Sequence, residues 1–171
     1  IHNPEKYPNV YCSCKACRPE GPGENLCEDV RFLASSAPGL CRTHLVHPAS
    51  CMFSVPDDVP EEIATLSEPL TVINRAFKRV DVRNHDHVAV LGGGFMGYIA
   101  AAALSKIIGI AKRNLLVTDI FDSKLAKLKD FATTLNTGIK TIPDELFSKY
   151  SVAFECAGGE AANATIDQAL F

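Results

Sequence analysis

The rhythm of polar and apolar positions changes along the chain. Through residue 55 the apolar stretches are short and separated by Pro, Gly and Cys, with Leu45-Val46 and Met52-Phe53-Ser54-Val55 as the best strand cores. Pro56 to Glu62 reads as a helix start, with Pro60 at the first helical position and two carboxylates at the positive end of the dipole. A second helix is predicted after Pro69, with Leu70, Ile73 and Phe77 on one face and Arg75, Lys78 and Arg79 near its C-terminus. From His87 the pattern becomes strand–helix–strand. His87 to Leu91 is an apolar run ending in glycines, Gly97 to Ile108 an alanine-rich buried helix, and Asn114 to Thr118 the next strand. Ser123 to Thr133 reads as an amphipathic helix, with Leu125, Leu128 and Phe131 spaced by three. Pro143 can open another short helix, Ser151 to Phe154 reads as a strand, and Ala161 to Phe171 reads as a helix still in progress. Alternating strands and helices predict an α/β fold, the first half of a doubly wound parallel sheet. The change of rhythm near residue 68 divides the chain into 1–68 and 69–171.

Composition narrows the function classes. Of 171 residues, 47% are hydrophobic and 22% charged, which excludes a disordered or collagen-like chain. Seventeen Lys and Arg against 20 Asp and Glu give a net charge of −3, so no polycationic field exists to hold nucleic acid or an anionic membrane. The longest apolar run, Phe95 to Leu104, is too short for a bilayer, which needs about 20 residues. No nucleic-acid or membrane partner is expected, and a cytoplasmic location is. A chain opening on Ile1 and closing inside a helix predicts a piece of a longer protein.

The strongest chemical signal is Gly92, Gly94 and Gly97 in Leu91-Gly92-Gly93-Gly94-Phe95-Met96-Gly97, which fit G-x-G-x-x-G between a strand and a helix. Such a turn lets a pyrophosphate approach the backbone at a helix N-terminus. Asp119 closes the next strand 22 residues after Gly97, where a carboxylate accepts ribose hydroxyls and repels a 2′-phosphate, favouring NAD over NADP. A methyltransferase turn can look similar. Six of seven cysteines lie in the first 51 residues. Cys12, Cys14, Cys17 and Cys27 can close a tetrahedral structural zinc site, against the alternative of free thiols. Cys41, Cys51 and Cys156 read as small buried hydrophobes. Glu68, amid Ile63, Leu66 and Leu70, is expected to be partly buried, most simply as a helix-end acid. His44 and His47, on opposite faces of a strand, are not read as ligands.

Taken in order, these elements resemble the zinc-dependent medium-chain dehydrogenases, within them the sorbitol (polyol) dehydrogenase branch. The resemblance rests on the cysteine cluster closing with Glu24-Asn25-Leu26-Cys27-Glu28, then Gly39-Leu40-Cys41-Arg42 and Phe53-Ser54-Val55-Pro56-Asp57-Asp58-Val59. It continues through Glu68-Pro69-Leu70, the glycine turn, Val117-Thr118-Asp119 and Phe154-Glu155-Cys156-Ala157-Gly158. It implies that residues 1–68 are part of a GroES-like, β-rich catalytic domain and 69–171 part of an NAD-binding Rossmann domain. Cys12, Cys14, Cys17 and Cys27 would form the structural-zinc lobe, with Tyr11 where the family's first cysteine is expected. Glu68 would match the family's acidic residue at the catalytic zinc, and Phe32 and Ser35 would line the substrate pocket. Met96 would touch the nicotinamide side of the dinucleotide and Lys124 its adenine end. The implied cofactors are zinc and NAD, and the implied reaction is oxidation of a polyol's secondary alcohol to a ketose in a homo-oligomer. The remaining catalytic-zinc ligands would precede this chain, leaving it inactive alone. The alternatives are an alditol-phosphate dehydrogenase of the ribitol-5-phosphate type and a non-catalytic NAD-binding module.

Overall fold

The computed structural model describes residues 34, 38–47, 49, 52, 54–140, 142, 143, 146 and 148–170. The chain separates into two compact units, Ile1–Asp58 and Val59–Phe171.

In the first unit the described residues form no regular strand or α-helix. Leu45 and Val46, expected as a strand core, are exposed irregular chain, as are Met52 and Val55. A strand persists only where a neighbour accepts and supplies its ladder bonds, and none does so among the described residues. His44 and His47 therefore do not lie on strand faces. Cys41 is exposed rather than buried, in the short turn where the Arg42 N–H donates to the Leu40 carbonyl at 2.8 Å. Phe53 and Cys51 lie outside the described residues.

The second unit opens with α1 (Glu61–Ala64), preceded directly by Pro60, and α2 (Ser67–Val80). α2 starts two residues before Pro69, which is tolerated because N–H groups in a first turn have no intrahelical acceptor. Its buried face carries Ile73 and Phe77. Asp81, in the left-handed region at φ 47°, ends it by donating its N–H to the Phe77 carbonyl. Then follow β1 (Val88–Leu91), α3 (Phe95–Ala103), a π-helical turn over Leu104–Ile108, β2 (Leu115–Asp119), α4 (Asp122–Ala126), β3 (Thr133–Asn136), β4 (Val152–Glu155) and α5 (Ala162–Leu170).

The four strands pair in parallel in the order β3-β2-β1-β4. β1, in the middle, is a run of Val88, Ala89, Val90 and Leu91 buried on both faces, as a central parallel strand requires. One sheet face, with Val88, Val90, Leu115, Val117 and Phe154, packs on α2, α3 and the α4 region through Phe77, Ala100, Leu104 and Leu128. The Phe77 and Phe154 rings meet at 5.1 Å between centroids. The alanines of α3 let the helix lie close to the sheet. The other face, with Ala89, Leu91, Leu116, Thr118 and Ala153, encloses a cavity of about 60 Å³ shared with Gln168 and Ala169 of α5. Leu104, fully buried, is the core residue where α3 passes into the π-helical turn. Its replacement by alanine is expected to cost about 2–5 kcal/mol in urea unfolding.

The helix expected over Ser123–Thr133 is shorter than its pattern. α4 ends at Ala126, and Leu128 and Phe131 continue the spacing in turns, before Thr133 and Thr134 enter the edge strand β3. Of the short helix expected after Pro143, the described residues show the turn in which the Leu146 N–H donates to the Pro143 carbonyl at 2.9 Å; residues 144, 145 and 147 lie outside them.

Candidate functional site

All four strands point their C-terminal ends at one edge of the sheet. Because the chain goes from β1 outward to β2 and β3 and then returns to β4 on the other side, this edge is a topological switch point, where open α/β sheets bind ligands.

The turn from β1 to α3 is shaped by close contacts. Gly92 donates its N–H to the Thr118 carbonyl at 2.8 Å and has φ +104°. A Cβ there would lie 2.6 Å from the Ala157 nitrogen, and one on Gly97 would lie 1.8 Å from the Gly92 carbonyl oxygen. Only glycine fits either place. Gly94 caps α3 in extended backbone with nothing within 4 Å of where its Cβ would stand. Among the described residues no side chain caps α3, so the N–H groups of its first turn remain for a ligand. The turn thus has the room and the donors for a pyrophosphate.

Asp119, the last residue of β2, has a side chain only 7% exposed. Its Oδ2 accepts the Gly93 N–H at 2.8 Å, and its Oδ1 accepts the Phe121 N–H at 2.9 Å. Lys124 Nζ stands 3.4 Å from Oδ2 and 4.8 Å from the centroid of the Phe121 ring. Each carboxylate oxygen keeps acceptor capacity for a hydroxyl. Met96, in the first turn of α3, is half-buried against the core. The structure therefore brings Gly92, Gly94, Gly97, Asp119 and Lys124 to one edge, with Met96 in the first helical turn beside them.

On the opposite flank stands Glu155, the last residue of β4 and the register partner of Leu91. Its Oε1 accepts the Ala157 N–H at 2.8 Å, the Gly158 N–H at 2.9 Å and the Thr165 hydroxyl at 3.0 Å. The Gly158 N–H above all, with the Thr165 hydroxyl and the Ala157 N–H, holds the carboxyl below its ordinary range. Burial, aided by the Glu155 charge, pushes the Cys156 thiol up to about 11, so at neutral pH it is neither a nucleophile nor a ready metal ligand. Sequence reasoning did not single out Glu155. The signal was an acid ending a strand just before Cys-Ala-Gly-Gly, where a loop must turn sharply beside the glycine turn.

Glu68 lies elsewhere, exposed in the first turn of α2, so its expected partial burial is corrected. Leu66 and Leu70 face inward, and a residue two positions from each points about 200° away on a helix. Among the described residues no three His, Cys, Asp or Glu side chains gather as a metal would need. Cys12, Cys14, Cys17, Cys27, Phe32 and Ser35 lie outside the described residues. Among those described, no helix is long and apolar enough to cross a membrane.

No protein-family model matches the chain. Individual relatives do. D-xylulose reductase of Scheffersomyces stipitis is 34% identical over 151 residues, covering 80% of this chain and 41% of the relative. Sorbitol dehydrogenase of Arabidopsis thaliana is 29% identical over 176 residues, covering 95% of this chain and 46% of the relative. The chain is similar over most of its length to proteins named as polyol and zinc-type alcohol dehydrogenases. Among solved structures, an Escherichia coli oxidoreductase of unknown specificity is 27% identical with a TM-score of 0.73, covering 85% of this chain and 43% of that one. The chain spans less than half the length of the curated relatives it matches. In this chain the glycine turn and the acid at the end of β2 occupy the edge where open α/β sheets bind dinucleotides.

Proposed function

We propose that this chain is part of an NAD-dependent, zinc-dependent polyol dehydrogenase that oxidises a secondary alcohol to a ketose. The observation that carries this reading is the pairing of the Gly92–Gly97 turn with Asp119, whose carboxylate is fixed within reach of a ribose. In this reading the turn and the N-terminus of α3 hold the pyrophosphate, and Asp119 orients the adenosine ribose. Lys124 lies over the adenine end, and Met96 toward the nicotinamide. When bound, the dinucleotide supplies the hydride acceptor and zinc a Lewis acid for the alcohol oxygen. Glu68 is our candidate acid at that metal, its other ligands coming from outside the described residues. Cys12, Cys14, Cys17 and Cys27 are proposed for a separate structural zinc, and Phe32 and Ser35 for the substrate pocket. Residues 1–68 then belong to the catalytic domain and 69–171 to the nucleotide domain, in a cytoplasmic homo-oligomer. The relatives named for sorbitol and xylulose support a free polyol as substrate.

The test is NADH production by the full-length protein on sorbitol, xylitol, ribitol, L-idonate and ribitol 5-phosphate. Turnover of a free polyol, abolished by a chelator and restored by zinc, is the expected result. Turnover of the phosphate alone would reassign the substrate, and NAD binding without turnover on any of the five would leave a non-catalytic module.

A further inference from the structure

The two strands flanking β1 end in the same way. Asp119 closes β2 and Glu155 closes β4, and each folds its carboxylate back onto two backbone N–H groups just beyond its strand or in the adjoining turn. On the β2 side the carboxylate holds the turn directly, through Gly93. On the β4 side it holds the loop, and the loop holds the turn. The Ala157 nitrogen and the Cys156 carbonyl carbon lie 2.6 Å and 2.9 Å from where a Gly92 Cβ would stand, so that loop is the wall against which the first glycine packs. The Cys156 N–H anchors the loop to the Leu91 carbonyl at 2.8 Å. Beyond that anchor the backbone enters the left-handed region twice, at Gly158 (φ 65°) and Gly159 (φ 57°), with open space around both. Among the described residues, only the Glu155 carboxylate accepts the Ala157 and Gly158 N–H groups, and through Thr165 the same oxygen ties them to α5.

We propose that Glu155 is a positioning residue for dinucleotide binding: its carboxylate clamps the 156–159 loop against Gly92 and so fixes the wall of the phosphate-binding turn. It touches no ligand itself and acts through the Ala157–Gly158 backbone. The proposal rests on the NAD reading of the turn. Glu155 is exposed, so its removal leaves the core intact. Freed of the clamp, a loop with two adjacent glycines samples many conformations, and binding must select the ordered one from them.

The experiment is NADH fluorescence titration of the full-length protein, with thermal unfolding measured on the same samples. The E155A variant is expected to bind NADH about tenfold more weakly, with its unfolding temperature within a few degrees of wild type. E155Q retains an acceptor oxygen at the same reach and is expected to recover most of the affinity. E155D, one methylene shorter, is expected to stay weak. Weak binding by the wild type itself would refute the NAD reading. Normal binding by the wild type with unchanged affinity in E155A would overturn the clamp alone. A fall in unfolding temperature without a change in NADH affinity would make Glu155 a merely structural residue.

Discussion

Substituting Gly97 by alanine is expected to lower the stability of the second unit by about 3 kcal/mol and to weaken NADH binding by about a hundredfold. The added Cβ would stand 1.8 Å from the Gly92 carbonyl oxygen, a backbone atom with no side chain to rotate away. Relief requires moving either the first turn of α3 or the glycine turn. The turn is held by the Gly92 N–H on the Thr118 carbonyl and by the Gly93 N–H on Asp119, so α3 must tilt and carry its buried alanines off the sheet. Urea unfolding reads the first effect and NADH titration the second. Gly94→Ala is the control, because its Cβ enters open space. Its stability is expected to stay within about 0.5 kcal/mol of wild type while NADH binding falls, since that space is where a phosphate would lie. Equal stability in both variants would contradict the close approach of α3 to the turn.

Much of this architecture is legible because the two central strands, β1 and β2, are buried on both faces. Val88 to Leu91 and Leu115 to Val117 are unbroken apolar runs, and the glycines follow the first of them directly, so strand, turn and helix are read from local sequence. The edge of the sheet is less legible. Leu125, Leu128 and Phe131 keep a helical spacing although α4 stops at Ala126. The bonds from the Leu128 N–H to Leu125 and from the Phe131 N–H to Leu128 are three-residue turns that preserve the same facing. Thr133 and Thr134 pair with Leu116 and Val117, a partnership that lies outside any local window. Glu68 shows a different limit. The apolar stripe of α2 was readable, but surrounding hydrophobic residues do not bury an acid that points from the opposite side of the helix. Glu155 was hidden because two of its three partners are backbone N–H groups, which leave no mark of residue type in the sequence, and the third, the Thr165 hydroxyl, lies ten residues on.

Removal of the Asp119 carboxylate is expected to have the largest effect on cofactor choice. In D119A, NADH affinity should fall about a hundredfold and the ratio favouring NADH over NADPH should shrink by at least that factor. Three consequences act together. The Gly93 and Phe121 N–H groups lose their acceptor, so the turn loosens on the β2 side. The ribose hydroxyls lose a charged acceptor, a hydrogen bond of the stronger kind. The negative charge that repels a 2′-phosphate disappears, and the Lys124 ammonium, 3.4 Å from Asp119 Oδ2 in the native protein, is released to pair with that phosphate. The first consequence weakens both nucleotides, the second weakens chiefly NADH, and the third strengthens NADPH alone, so the ratio separates them. D119N isolates the charge further, because its amide oxygen can still accept the Gly93 N–H. It should retain the stability of the turn while losing discrimination between the two nucleotides. Adding Lys124→Ala to D119A should then cost NADPH affinity and leave NADH affinity nearly unchanged. If D119A instead weakens both nucleotides by the same factor, the carboxylate serves only to hold the glycine turn, and discrimination must come from residues beyond this edge of the sheet.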